Sequence, residues 1–181
     1  MSFYKSTLLL FFSIAFAKTT QAQELISGPL IEGFGDTFTV SEADLPADTK
    51  KIYKVVFDIA QAPEDPAELN LYFNTVARFL NMHAAAGVPQ QNLKPVLVVH
   101  GSAAFNLLRN EFYKEKFGVD NPNLSLLEQF HKLGVPVILC GQTAAKREIS
   151  KDKRWEHTQL ALSAMTALIH YQDLGYALIS F

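Results

Sequence analysis

Two short, almost wholly apolar runs, Lys94–His100 (KPVLVVH) and Val135–Cys140 (VPVILC), constrain the fold more than any other feature of the chain. A strand with one wet face alternates apolar and polar residues, whereas a continuous apolar run of that length fits a strand covered on both faces. Such cover comes from helices, and the intervening segments have helical spacing. Asp65 followed by Pro66 supplies a cap and a first-turn proline, after which Leu69, Tyr72, Phe73, Val76, Phe79, Leu80 and His83 recur at helical intervals until Gly87. Ala103–Phe117 reads as helical with a break near Asn110. Asn121-Pro122-Asn123 then opens a further helix, with Leu124, Leu127, Phe130 and His131 inward and Gly134 as its stop.

The pattern continues on both sides of these runs. Lys51–Ile59 (KIYKVVFDI) is rich in β-branched and aromatic residues and predicts the first strand. Gly141-Gln142-Thr143 leads into a short helix through Ile149, and Lys151–Arg154 is a charged, exposed loop. Thr158–Asp173 fits either one helix, or a strand Thr158–Leu162 followed by a helix capped by Ser163 and closed by Gly175. The second reading is preferred, and it leaves Tyr176–Phe181 (YALISF) as a closing strand. The expected fold is therefore α/β, a three-layer α/β/α sandwich around a five-stranded parallel sheet. Its strands are Lys51–Ile59, Lys94–His100, Pro136–Cys140, Thr158–Leu162 and Tyr176–Phe181.

Ahead of the domain, Lys5 precedes an apolar run from Leu8 to Ala17 that is too short to span a bilayer. Small-x-small sites end at Ala17 and Ala22, and cleavage after Ala22 leaves a polar spacer behind the run. The organisation expected is a leader over 1–22, an extension of turns and short extended pieces over 23–50 that wraps the domain, and an α/β domain over 51–181. The mature chain is expected to be a soluble periplasmic or secreted protein without a membrane helix. Removing Lys5 and Lys18 leaves 14 Lys and Arg against 18 Asp and Glu, which excludes the basic footprint of a nucleic-acid-binding protein. Hydrophobic residues make up 49% of the chain, enough for a substantial core and too many for a disordered one.

Chemistry in an open parallel sheet gathers at the carboxyl ends of the strands. Asp58 or Ile59, His100 and Cys140 fall there. Cys140 precedes a helix start, where backbone N–H groups favour a thiolate; it equally continues the buried run Val137-Ile138-Leu139 as a small hydrophobe. His100 can move a proton to or from the sulfur, or simply end a buried strand and bond a carbonyl. His83 and His131 read as core-edge residues, and His157 and His170 have no metal-ligand spacing, so neither a metal nor another cofactor is expected. Lys146, Arg147, Lys151, Lys153 and Arg154 could bias the sulfur toward thiolate, but such charges ordinarily decorate loops.

The stretch LGVPVILCGQT (Leu133–Thr143), with VVHG (Val98–Gly101), ALSAMTAL (Ala161–Leu168) and LGYALISF (Leu174–Phe181), resembles the DsrE/DsrF-like proteins of the YchN-like fold. The resemblance covers Lys51 to Phe181. It implies a five-stranded parallel sheet between helices, trimers or hexamers, and sulfur carried as a persulfide on one cysteine. Cys140 matches that cysteine, and His100-Gly101 matches a strand-end His-Gly of one branch. Gly101, Gly141, Gln142 and Thr143 surround the pair as candidate ligand-binding positions. The export signal and the extension lie outside the family pattern.

Two functions follow. One is a sulfur carrier or sulfurtransferase-like protein taking a small sulfur compound onto Cys140, with His100 assisting; the other is a non-catalytic oligomeric module that binds a small molecule in the same cleft. A dithiol oxidoreductase would need a second cysteine, and the chain has one.

Overall fold

In the computed structural model, which describes residues 25–181, five parallel strands form the central sheet: β3 (Tyr53–Ile59), β4 (Leu93–Val99), β5 (Val137–Cys140), β6 (Gln159–Ala161) and β7 (Ala177–Ser180). The expected leader and its cleavage site at Ala22 lie outside the described residues. Strand order is β6-β5-β4-β3-β7, so the chain starts in the middle, steps outward to β6, and returns to pair β7 with the opposite edge of β3. All five expected strands are present; β4 keeps its length but begins at Leu93 and ends before His100, and each of the others is trimmed by a residue or two.

The apolar runs are explained by two cores. Leu93, Leu97 and Val99 of β4 join Val55, Phe57 and Ile59 of β3 and Val137 and Leu139 of β5 in the larger core. The alternate residues Val96 and Val98 join Val56, Ile138 and Cys140 in the smaller one. Each of these β4 side chains therefore loses water whichever way it points, and past the exposed Lys94 the strand is apolar on both faces.

The larger core is roofed by α1 (Leu71–Ala85), a 3-10 segment (Gly101–Leu107), α2 (Asn110–Phe117), α3 (Leu124–Lys132) and α4 (Gly141–Lys146). The smaller is covered by α5 (Ala164–Asp173), through Ala164 and Ala167. Ser163 caps α5, its Oγ accepting the Thr166 N–H at 3.0 Å, so the strand-then-helix reading of the last third is the correct one. Before the sheet, β1 (Leu25–Ile26) and β2 (Thr37–Phe38) pair antiparallel. Part of the segment before the sheet packs on the domain. Ile31 lies fully inside the larger core, and Asn81 of α1 holds the segment through Leu30, Ile31, Phe34 and Gly35.

Four local expectations need correction. Helix α1 begins after Asn70, not at Asp65-Pro66: Asn70 Oδ1 accepts from the Tyr72 and Phe73 N–H groups. Asn70 is fully buried and bonded to Asn123 and Asn106, so tertiary partners select the cap. Asp65 merely closes a turn onto the Ala67 N–H. His131 is exposed, stacked on His157 with centroids 3.5 Å apart, because that flank of α3 faces the loop around Trp155 and not the sheet. The helix after Cys140 ends at Lys146, and Glu148 turns the chain with a φ of 54°. Beyond it Lys153 and Arg154 are only half-exposed, since Arg154 bridges Leu108.

Candidate functional site at the strand ends

Cys140 is the last residue of β5 and the N-cap of α4. Strand alternation turns its side chain toward α5, the same face as Val98 and Val56. The polar groups around the sulfur there are the backbone N–H groups of Gln142 and Thr143 from α4, that of Ala164 from α5, and the Thr143 hydroxyl. Burial, with 5% of the residue exposed, pushes the thiol pKa up. The neighbouring donors together outweigh it and bring the thiol below its ordinary value. The basic residues that follow play no part in this shift. Arg147 lies instead over the Phe105 ring, 4.7 Å from its centroid.

Gly141 makes this convergence of two helix starts possible. A Cβ at Gly141 would sit 2.5 Å from Ala161 O and 3.0 Å from Leu162 O, so a side chain there would force β6 and the entry to α5 away from Cys140. Gln142 secures the same junction, its Nε2 donating to Leu162 O at 3.3 Å. Thr143 is the candidate that touches the sulfur with its side chain as well as its backbone. Gly101 shapes the other half of the site: it turns the chain after β4 with its backbone packed on Ala60 O.

His100 is half-buried and extended, with φ −148° and ψ −164°, and its N–H still bonds Ile59 O at 2.9 Å. Its ring is drawn to β3, where Nε2 lies 2.8 Å from Asp58 Oδ1. The Ser180 hydroxyl of β7 donates to the other oxygen, Oδ2, at 3.4 Å. Among the described residues no hydrogen bond joins His100 to Cys140. Sequence reasoning placed Asp58 at this edge without recognising it as the partner of His100. The signal was present: Asp58 is an acid in an otherwise apolar stretch of strand, and its parity matches that of Val56. The contribution of Ala164 and Ser180 depends on segments distant in the chain and had no local sign. The remaining histidines stay apart from the site, His83 bonding Phe79 O at 2.8 Å and His170 lying exposed on α5. Among the described residues no helix is long and apolar enough to cross a membrane.

This architecture is shared with solved structures. The protein MTH1491 from Methanobacterium thermoautotrophicum, described as of unknown function, is 19% identical and superposes with a TM-score of 0.53, covering 71% of this chain and 99% of its own. The ychN protein from E. coli is 22% identical with a TM-score of 0.53 and the same coverage of 71% and 99%. At these identities the likeness establishes the fold. Comparison with curated proteins gives no match. The model of the DsrE/DsrF-like family matches residues 54–181, which span the five-stranded sheet from Lys54 on and both helix starts at Cys140, and the chain belongs to that family.

Proposed function

We propose that the protein carries sulfane sulfur as a persulfide on Cys140, outside the cytoplasm and as a homo-oligomer. The observation that carries this is the placement of the sulfur at two helix starts, as the N-cap of α4 and packed with Ala164 of α5, with backbone N–H groups and the Thr143 hydroxyl around it. Donors of that kind favour a thiolate and equally suit the negative outer sulfur of a persulfide. In the transfer, the Cys140 thiolate attacks the outer sulfur of thiosulfate or a polysulfide. A new S–S bond forms, the donor's S–S bond breaks, and its electron pair leaves on sulfite or the shortened polysulfide. No separate oxidant is required, and one cysteine suffices. The family supplies the precedent for fold and membership; the sulfur chemistry is the step being proposed.

Mass spectrometry after incubation with thiosulfate or polysulfide tests it. The Cys140 peptide is expected to gain about 32 Da, one sulfur atom, and Cys140→Ser to gain nothing. A wild-type protein that gains no mass under both donors leaves the small-molecule-binding module in its place. Alkylation by iodoacetamide gives a second check. Its rate follows the thiolate, so for a thiol shifted downward the rate should rise with an inflection below the unperturbed value of about 8.5. An inflection above that value would count against an activated sulfur.

Assembly into trimers or hexamers has support on α5. Leu162, Met165 and Ile169 are 72%, 71% and 58% exposed on the face that one helix covers, an apolar stripe that a lone chain would leave in water. The double substitution Met165→Glu with Ile169→Glu is expected to give a monomer by light scattering. A wild-type protein that is itself monomeric over a wide concentration range would overturn the oligomer.

A further inference from the structure

We infer that Asp58 is a positioning residue for His100, and that the two complete with Cys140 a proton path across three adjacent strand ends. The inference rests on the persulfide role proposed above for what that proton serves, while its geometry stands apart from it. Strands β3, β4 and β5 are neighbours, and Asp58, Val98 and Ile138 form one row across them. Alternation then puts Asp58, His100 and Cys140 on the α5 face. Adjacent strands lie about 4.8 Å apart, so His100 occupies the middle position between an acid and a thiol.

Asp58 is costly where it sits. Its side chain is 22% exposed in a strand whose neighbours Phe57 and Ile59 are buried, and a half-buried carboxylate is tolerated when its oxygens are bonded. Both are bonded, one to the His100 ring and one to Ser180. An ionised carboxylate can only accept, so the ring nitrogen facing it, Nε2, carries the hydrogen. That assigns the tautomer: Nδ1 keeps its lone pair, and among the described residues no hydrogen bond engages it. The Cys140 S–H gives its proton to Nδ1, the electron pair stays on sulfur, and the imidazolium that forms is stabilised by Asp58. When the donor's S–S bond breaks, the imidazolium returns the proton to the departing group. Other titratable groups on this face stand off from the path. Lys54 is four residues back along β3 and bonds Leu174 O, and Tyr171 of α5 packs on Tyr176, which precedes β7 at the opposite end of the strands.

The experiment compares iodoacetamide alkylation of Cys140 in the full chain across wild type, Asp58→Asn, Asp58→Glu, His100→Asn and the Asp58→Asn/His100→Asn pair, with sulfur loading measured in parallel. Asp58→Asn removes the charge at nearly constant shape and leaves the tautomer unassigned. It should slow alkylation near neutral pH roughly tenfold. Asp58→Glu should recover part of that rate. Because Asp58 acts through His100, the double variant should be no slower than His100→Asn alone. Wild-type alkylation in Asp58→Asn, or losses that multiply in the double variant, would overturn the inference. Nitrogen NMR of the His100 ring in the wild-type protein needs no variant to fold: an Nε2–H tautomer is expected, and an Nδ1–H tautomer overturns it. Alkylation uses no sulfur donor, so a wild-type protein that gains no mass would end the persulfide role while these rates still judge the role of Asp58.

Discussion

Asn81→Ala is expected to lower the unfolding free energy by about 4 kcal/mol and to free the segment before β3 from the domain. Asn81 is fully buried in α1 and uses both ends of its amide. Its Oδ1 accepts from Leu30 and Ile31 N–H at 3.2 and 2.9 Å, and its Nδ2 donates to Ile31 O and Phe34 O at 3.0 and 2.9 Å. Alanine leaves these backbone groups without partners, and each buried orphan costs about 1–3 kcal/mol. The segment can escape that cost by moving into water, but then Ile31 leaves the core and about 2 kcal/mol of apolar burial goes with it. Both outcomes fall in the same range. Urea unfolding measures the total, and limited proteolysis between Gly28 and Lys50 separates the two. Asn81→Asp should fail almost as badly, since it keeps the acceptor while turning an anion toward the carbonyls of Ile31, Phe34 and Gly35. A loss below about 1 kcal/mol would mean that the segment contributes little to the fold.

The second large effect is expected at Gly101. Its φ is +56°, and a Cβ would stand 2.3 Å from Ala60 O, a backbone atom that cannot swing aside. Left-handed backbone alone costs a side chain about 1–2 kcal/mol, and displacing the β3 exit adds a similar amount. Gly134 separates the two contributions. Its φ is +72° with nothing within 4 Å of its would-be Cβ, so Gly134→Ala bears the conformational penalty alone. Thermal unfolding should therefore rank Gly101→Ala well below Gly134→Ala. Because Ala60 follows β3 directly and the N–H of Ala103 also bonds Ala60 O at 3.2 Å, the damage should reach the Asp58–His100 contact. Equal losses at the two glycines would show that the close approach is relieved without consequence.

The layered fold was legible because β4 and β5 bury both parities, and a short run without alternation fits a strand that helices cover on either side. Ser163 and Gly175 were legible because caps act through neighbours in the chain, the Ser163 hydroxyl bonding a residue three positions on. Asn70 was not. Its choice over Asp65 as the α1 cap depends on Asn106 and Asn123, which arrive from segments 36 and 53 residues away. The site divides in the same manner. Cys140, His100 and Thr143 lie at or just after the ends of recognisable strands, so position along the chain exposed them. The third N–H on the sulfur comes from Ala164, and the partner of the His100 ring from Asp58; both need the strand order, which local patterns do not contain. His131 was misread because helical spacing marks a flank as apolar or polar without saying whether sheet or loop will face it.

The position of β7 bears on how the chain is made. This strand pairs with β3 across 122 residues, from Asp58 to Ser180, so the first sheet strand to leave the ribosome waits for the last four-residue strand before its outer edge is closed. Until then β3 offers unpaired backbone groups beside Val55, Val56 and Phe57, the conditions under which nascent chains associate wrongly. Contacts so distant in sequence also slow folding, because the loop must close before any of its pairings count. The native sheet is thus complete only once β7 has emerged to pair with β3.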